Sequence, residues 1–314
     1  MRKIASILLI ILILTFSISC ELFNPTQPDV NIYGLFVGLD YINSDVNNLN
    51  GTINDTREMA AAFYTLANAY GIDFEGYLAL QEGSDTPYDD LLYPSKENIL
   101  ALIEEIGTHM KSNDLFIFYY AGHGLGSRYL PTHPSNGFLV TAKENDSEDY
   151  SQFSTTELSD ALSAINGTKI IILDSCFSGA HVSPYPKEET IISPRYEANQ
   201  FYLTASMENQ ESWESDGHGY FTLNFLEYLG WQQSATEQTH IEMYSGNSII
   251  VKEEIDVYGK FPSGVLSSLP HYISLTDIAS SLPTLRVSTR PVPIYQEKKI
   301  TSGPTNVLLF NKDW

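Results

Sequence analysis

Cysteine is nearly absent from this 314-residue chain: there are two, Cys20 and Cys176. That excludes a disulfide-dense secreted scaffold, and it excludes a zinc site built on paired cysteines. Positive charge is also scarce. Seventeen Lys and Arg stand against 39 Asp and Glu, for a formal net charge of −22. Such a chain has little with which to neutralise phosphates, so nucleic acid is not an expected partner. The acidity serves solubility first, and attraction for cations or basic peptides at particular places second. Solenoid repeats and low-complexity tracts are missing too. One large core remains, or one core with an appendage.

The chain also lacks a run long enough to span a bilayer comfortably. Its most apolar stretch, Ile4 to Phe16, lies in "MRKIASILLIILILTFSISC" between the basic pair Arg2 and Lys3 and small residues leading to Cys20. This pattern resembles a bacterial lipoprotein signal, with Ser17 where an aliphatic residue is commoner. An ordinary signal peptide and a single anchor helix are the other readings. All three place the rest of the chain outside the cytoplasm, and the first makes Cys20 a lipidation site in the cell envelope. Residues 1–19 would then be removed, the charge would become −24 with the loss of Arg2 and Lys3, and residues 20–30 would be a tether. Cys176 would be left without an intramolecular partner, a liability in an oxidising compartment unless it is buried or used.

What is present is a regular alternation. "NIYGLFVGLD" (31–40), "FEGYLAL" (74–80), residues 114–120, "GFLV" (137–140), "TKIIILD" (168–174) and "QFYLTAS" (200–206) read as strands. Between them, Met59, Phe63, Leu66 and Tyr70 form one helical stripe, with Asn54 or Asp55 as its cap and Gly71 as its end. Ile99, Leu102, Ile106 and Met110 form another behind Ser95. Ser154 and Glu157 make a capping box ahead of Leu158, Leu162 and Ile165, and residues 220–229 form a further helix. Strands alternating with helices imply an α/β sandwich with a mostly parallel central sheet and helices on both faces.

In such sheets chemistry gathers at the carboxyl ends of the strands. His123 follows one strand in "YYAGHGLG", and Cys176 follows another in "LDSCFSG". A glycine loop cradling phosphate is rejected for the first, because no helix starts in Ser127 to Pro134. A lone histidine here would be a loop residue and a lone cysteine an inert core thiol. Together, 53 residues apart at two strand ends, they read as a base and a nucleophile. The N–H groups of Gly124 and Cys176 could then hold an oxyanion. His133, His181, His218, His240 and His271 are scattered and read as structural or solvated. No metal site is expected.

These segments resemble the caspase-like cysteine peptidases, in their metacaspase and bacterial caspase-homologue branch. "YYAGHG" resembles the family's histidine motif and "DSCFSG" its nucleophile motif. "LNGTINDTREM" (49–59) is similar to its first loop and helix. "TASMENQESWE" (204–214) and "GHGYFTLNFLEYL" (217–229) are similar to its small-subunit region. The resemblance implies a caspase-like three-layer αβα fold, with 31–180 as a large-subunit-like region, 181–200 as a linker, and 201–314 as a small-subunit-like region. Residues 231–270 match no family counterpart and are expected to be an insertion on the small-subunit side. The implied activity is a thiol endopeptidase.

Departures from animal caspases set the expected specificity. Their glutamine two before the nucleophile is Asp174 here, and Asp55 matches a metacaspase loop acid. Two carboxylates attract a P1 arginine or lysine and repel aspartate, although a strand-end cap and a helix cap are the bland roles for the pair. Ala121 stands where many metacaspases have serine. No cofactor is required. Calcium, which some metacaspases need, could bind "KENDSEDY" (143–150), but that stretch lacks an EF-hand pattern and reads as a solvated loop. A peptide or protein substrate is the expected partner of a monomeric, membrane-tethered enzyme. The alternative is a catalytically silent caspase-like lipoprotein that binds a partner.

Overall fold

The computed structural model of the chain describes residues 29–42, 44–84, 90–126, 137–144, 150–182, 199–215, 217–246, 249, 251–286, 295–296, 299–300 and 307–314. Cys20, the signal-like segment, His133, residues 145–149 of the acidic stretch and most of the 181–200 linker lie outside the described residues.

In chain order, β1 (Ile32–Leu39) leads to α1 (Thr52–Tyr70), and β2 (Phe74–Gln81) to α2 (Lys96–His109). Next, β3 (Leu115–Ala121) leads to a small sheet of β4 (Gly124–Gly126), β5 (Gly137–Thr141) and β6 (Ser151–Ser154). Then come α3 (Thr155–Ser163), β7 (Thr168–Asp174), a 3-10 turn at Ser178–His181 and β8 (Gln200–Thr204). The hairpin β9 (Glu214–Ser215) and β10 (His218–Gly219) precedes α4 (Tyr220–Leu229), β11 (Gln238–Tyr244) and β12 (Lys252–Tyr258). After these, β13 (Tyr272–Ser274) runs into α5 (Leu275–Ser281). Short strands β14 (Leu285–Arg286), β15 (Tyr295–Gln296), β16 (Lys299–Ile300) and β17 (Leu308–Asn311) complete the order.

The central sheet runs β12-β11-β2-β1-β3-β7-β8-β16, and its five middle strands are mutually parallel. Alternation sorts their side chains. Ile117, Tyr119, Ile170 and Ile172 face α1, α4 and α5, while Phe116, Phe118, Tyr120 and Ile171 face α2 and α3. This is the expected αβα sandwich. Phe63 of α1 is fully buried against Phe36, Phe225 and Phe310. Its truncation to alanine should cost about 3–5 kcal/mol.

Two local expectations change. Helix α1 is capped by Gly51, without a side-chain cap bond, so Asp55 is not its cap and lies buried in the first turn. Glu214 instead accepts from the amides of Asn50 and Gly51, at 3.1 and 3.0 Å. The strand expected over 200–206 ends at Thr204. Within residues 231–270, β11 and β12 form an antiparallel hairpin that joins the sheet at β2, the edge far from β8. Gly71 closes α1 with φ 75°, and Ser154 and Glu157 form the capping box, both as expected.

Candidate active site

Parallel register places the two reactive side chains. Ala121 of β3 is the Cα partner of Asp174 of β7, and Gly122 N–H continues the ladder to Asp174 C=O at 3.2 Å. His123 and Cys176 each lie two residues beyond that pair, on adjacent strands about 4.8 Å apart. Both line one cleft of about 250 Å³, with Leu49, Thr52, Asp55, Asp174, Ser212, Trp213, Glu214 and Gly219 among its other walls. Three of those lining residues are acidic, and none is Lys or Arg.

Several contacts fix His123. Its amide donates to Tyr41 Oη at 2.8 Å, and its carbonyl accepts from Tyr120 Oη at 2.8 Å and from Val140 N–H at 3.0 Å. The Tyr41 ring lies 4.6 Å from the imidazole, centroid to centroid. Ring nitrogen Nε2 is 2.6 Å from Asn47 C=O. A carbonyl can only accept, so Nε2 carries the proton and a neutral ring keeps its lone pair on Nδ1. Burial pushes the His123 pKa below its usual value, against the opposing pull of the Asn47 bond.

Cys176 is a free thiol. Its Sγ receives the Ser212 amide at 3.3 Å and lies 3.5 Å from Ser212 C=O. Burial pushes the thiol up to about 11, with Glu211 and Asp174 adding to the rise. At neutral pH the resting pair is therefore thiol and imidazole rather than thiolate and imidazolium. Phe177, next in the chain, takes a left-handed φ of 56°, which turns the backbone sharply after the sulfur.

Gly124 faces Leu139 in the small sheet. Val140 N–H bonds to His123 C=O, one residue outside that pair, so Gly124 occupies a non-hydrogen-bonded position and its N–H points away from the ladder. A Cβ at Gly124 would come within 2.1 Å of Cys176 C=O, which only glycine avoids.

The acidic pair meets at the N-terminus of α4. Asp174 Oδ2 accepts from Thr222 N–H and Oγ1, at 3.2 and 2.8 Å, and Oδ1 accepts from Ser212 Oγ at 2.9 Å. Asp174, read as a strand-end cap in its bland role, thus serves the first turn of α4, a helix far from it in sequence. Asp55 Oδ2 accepts from Gly219 N–H at 2.8 Å, and Oδ1 lies 2.8 Å from His218 Nδ1. Gly219 is wedged between them: a Cβ there would approach Asp174 Oδ2 to 2.4 Å and Asp55 Oδ2 to 3.2 Å. Burial raises both carboxyls above the usual range. Asp174 adds to the rise at Asp55, and Glu214 adds to it at both.

His123, Cys176, Asp55 and Asp174 thus share the cleft wall, and Gly124 packs against the Cys176 carbonyl without lining the cleft. His181 packs on Thr155, while His240 and His271 pair with Asp256 and Asp313 at the surface, structural and solvated roles as expected. His218 is structural rather than solvated, and the sequence reading did not connect it with the pocket carboxylate it bonds. Its "GHG" setting ahead of a helix, echoing "GHG" at 122–124, was the available signal. Among the described residues no group of three His, Cys, Asp or Glu is placed to hold a metal ion.

A thiol and an imidazole thus stand at the ends of adjacent parallel strands of an α/β domain, beside an acidic pocket. A sequence profile of the caspase domain, peptidase C14, matches residues 34–246, and the chain belongs to that family of cysteine peptidases. Metacaspase-1A of Neurospora crassa is 34% identical over 90 residues, 29% of this chain and 18% of that one. Metacaspase-1 of Schizosaccharomyces pombe is 27% identical over 148 residues, 46% of this chain and 33% of that one. The matches thus span a third or less of the length of these relatives. The structure of caspase-1 from Spodoptera frugiperda superposes with a TM-score of 0.46 and 12% identity over 91% of each chain.

Proposed function

We propose that the chain is a cysteine endopeptidase that cleaves after arginine or lysine, with Cys176 as nucleophile and His123 as base. His123 Nδ1 takes the thiol proton, and Sγ attacks the P1 carbonyl carbon. The carbonyl electron pair moves to oxygen, where the N–H groups of Gly124 and Cys176 stabilise it. Collapse expels the amine, protonated by the imidazolium, and leaves a thioester that water hydrolyses. The neutral resting pair suits this order, since the proton moves only when a substrate carbonyl is there to receive the sulfur.

The single observation that carries the specificity is the joint burial of Asp55 and Asp174 in the cleft wall beside Cys176. A carboxylate offers about four acceptor sites. Among the described residues, Asp174 uses three of them, whereas Asp55 uses two and keeps one on each oxygen, the pattern a guanidinium fork requires. A P1 cation would also relieve two like charges held at close range, which a P1 aspartate would worsen. Arg is accordingly preferred over Lys. A panel of P1-Arg, P1-Lys and P1-Asp peptides tests this, and faster turnover of the P1-Asp member overturns it. The same proposal tethers the domain to the cell envelope through an acylated Cys20, on the strength of the N-terminal pattern alone.

A further inference from the structure

Behind the pocket carboxylates lies a polar chain that the cleft itself does not expose. Asp55 and Glu58 are three residues apart on α1 and so share a helix face. The His218 ring sits between them, with Nδ1 2.8 Å from Asp55 Oδ1 and Nε2 3.9 Å from Glu58 Oε1, its side chain only 12% exposed. Glu58 Oε2 in turn accepts from Trp231 Nε1 at 3.0 Å. The backbone presses His218 into this place. A Cβ at Gly51 would meet His218 main-chain atoms at 2.8–3.0 Å, and the next residue, Gly219, donates its N–H to Asp55.

We propose that His218 is a specificity-determining positioning residue: it fixes the orientation and charge of Asp55, and so sets selectivity for a cationic P1 side chain. This rests on reading the cleft as the P1 pocket. With Nδ1–H on one oxygen and Gly219 N–H on the other, the Asp55 carboxylate cannot turn, and its remaining lone pairs stay directed by the protein. The groups facing Asp55 from the packed elements are Asp174 of β7, Glu214 of β9, Tyr119 of β3 and Glu58 of α1, besides His218 of β10. Burial lowers the His218 pKa as well, so none of these groups brings a fixed positive charge; what favours the Asp55 carboxylate is hydrogen bonding, from the Gly219 amide on Oδ2 and from the His218 ring on Oδ1. Without it, Asp55 keeps one bond, faces Asp174, and holds a proton to higher pH, in competition with the P1 cation. The imidazole touches neither the sulfur nor the cleft, so its effect falls on substrate selection and leaves the chemistry alone.

Three variants of the full chain test this. His218→Ala removes both contacts. His218→Leu fills the space without a donor, and decides the matter if the alanine variant melts. His218→Asn can present Nδ2 where Nδ1 stood. In the alanine and leucine variants, KM for a P1-Arg peptide should rise about tenfold while kcat changes less than about threefold. The acid limb of kcat/KM should move to higher pH. Turnover of a P1-Gln peptide and the rate of Cys176 alkylation by iodoacetamide should hold. His218→Asn should bring KM back to within about threefold of wild type. An unchanged P1-Arg KM and acid limb overturns the proposal. So does an equal loss for P1-Arg, P1-Gln and iodoacetamide, the pattern of a purely structural role. The wild-type data keep the two readings apart. Preference for P1-Asp sinks the basic pocket itself, whereas preference for P1-Arg with indifferent His218 variants sinks only this assignment.

Discussion

Asp174→Asn removes one negative charge from the cleft and almost nothing else. The side chain is buried and receives three hydrogen bonds, two from Thr222 and one from Ser212. An asparagine can turn its carbonyl oxygen to Thr222 and its amide to Ser212 Oγ, a hydroxyl able to accept as well as donate. The fold and the start of α4 should therefore survive. What is lost is one charge-assisted bond to the P1 cation, about 1.5–3 kcal/mol. Part of this returns, because Asp55 loses its nearest like charge and ionises more readily. A net loss of at least tenfold in kcat/KM for a P1-Arg peptide, about 1.4 kcal/mol, is expected. Alkylation of Cys176 by iodoacetamide should proceed at the wild-type rate, since the small reagent does not use the pocket. Unchanged P1-Arg cleavage in this variant would refute the two-carboxylate reasoning, and so would wild-type enzyme that favours P1-Asp.

His123→Ala should abolish peptide hydrolysis while the melting temperature stays near wild type; residual turnover above a few per cent would remove His123 from the base role. Glu58 gives a stability signature. Burial lifts its carboxyl from 4.5 to about 7, with His218 and the Trp231 bond pulling the other way. A group whose folded pKa is raised stabilises the fold fully below its unfolded value, and that contribution is lost as pH rises through about 7. The wild-type melting temperature should thus fall between pH 5 and pH 8 by more than that of Glu58→Gln, as followed by circular dichroism; parallel curves for the two proteins would contradict this. For Cys20, mass spectrometry of the mature N-terminus should find an acyl adduct on that residue, and a free terminus elsewhere with no acyl mass sinks the tether.

The parts of this molecule written in local pattern were legible before any coordinates. Near-continuous aliphatic runs such as 168–174 carry the signature of strands buried on both faces. His123 and Cys176 stood out because each follows such a run among glycines. Other features depend on residues distant in sequence. Gly51 replaces Asp55 as the helix cap because Glu214, 163 residues away, serves that end of α1. The hairpin β11–β12 carries Glu242, Glu253, Glu254 and Asp256, and its exposed positions give no hint that it would join the central sheet at β2. Sequence left His218 as structural or solvated, because only the folded chain lays it against α1. Loop residues Ser212 and Trp213, with Glu214 at the start of the two-residue strand β9, reach the cleft without any periodic signal.

The most direct test of the central claim is covalent trapping with a peptidyl chloromethyl ketone bearing P1 arginine, followed by peptide mass mapping. The expected result is one adduct on Cys176, absent from Cys176→Ala, and formed far faster than with the P1-aspartate analogue. An adduct elsewhere, faster labelling by the aspartate reagent, or peptide turnover retained by Cys176→Ala would contradict it.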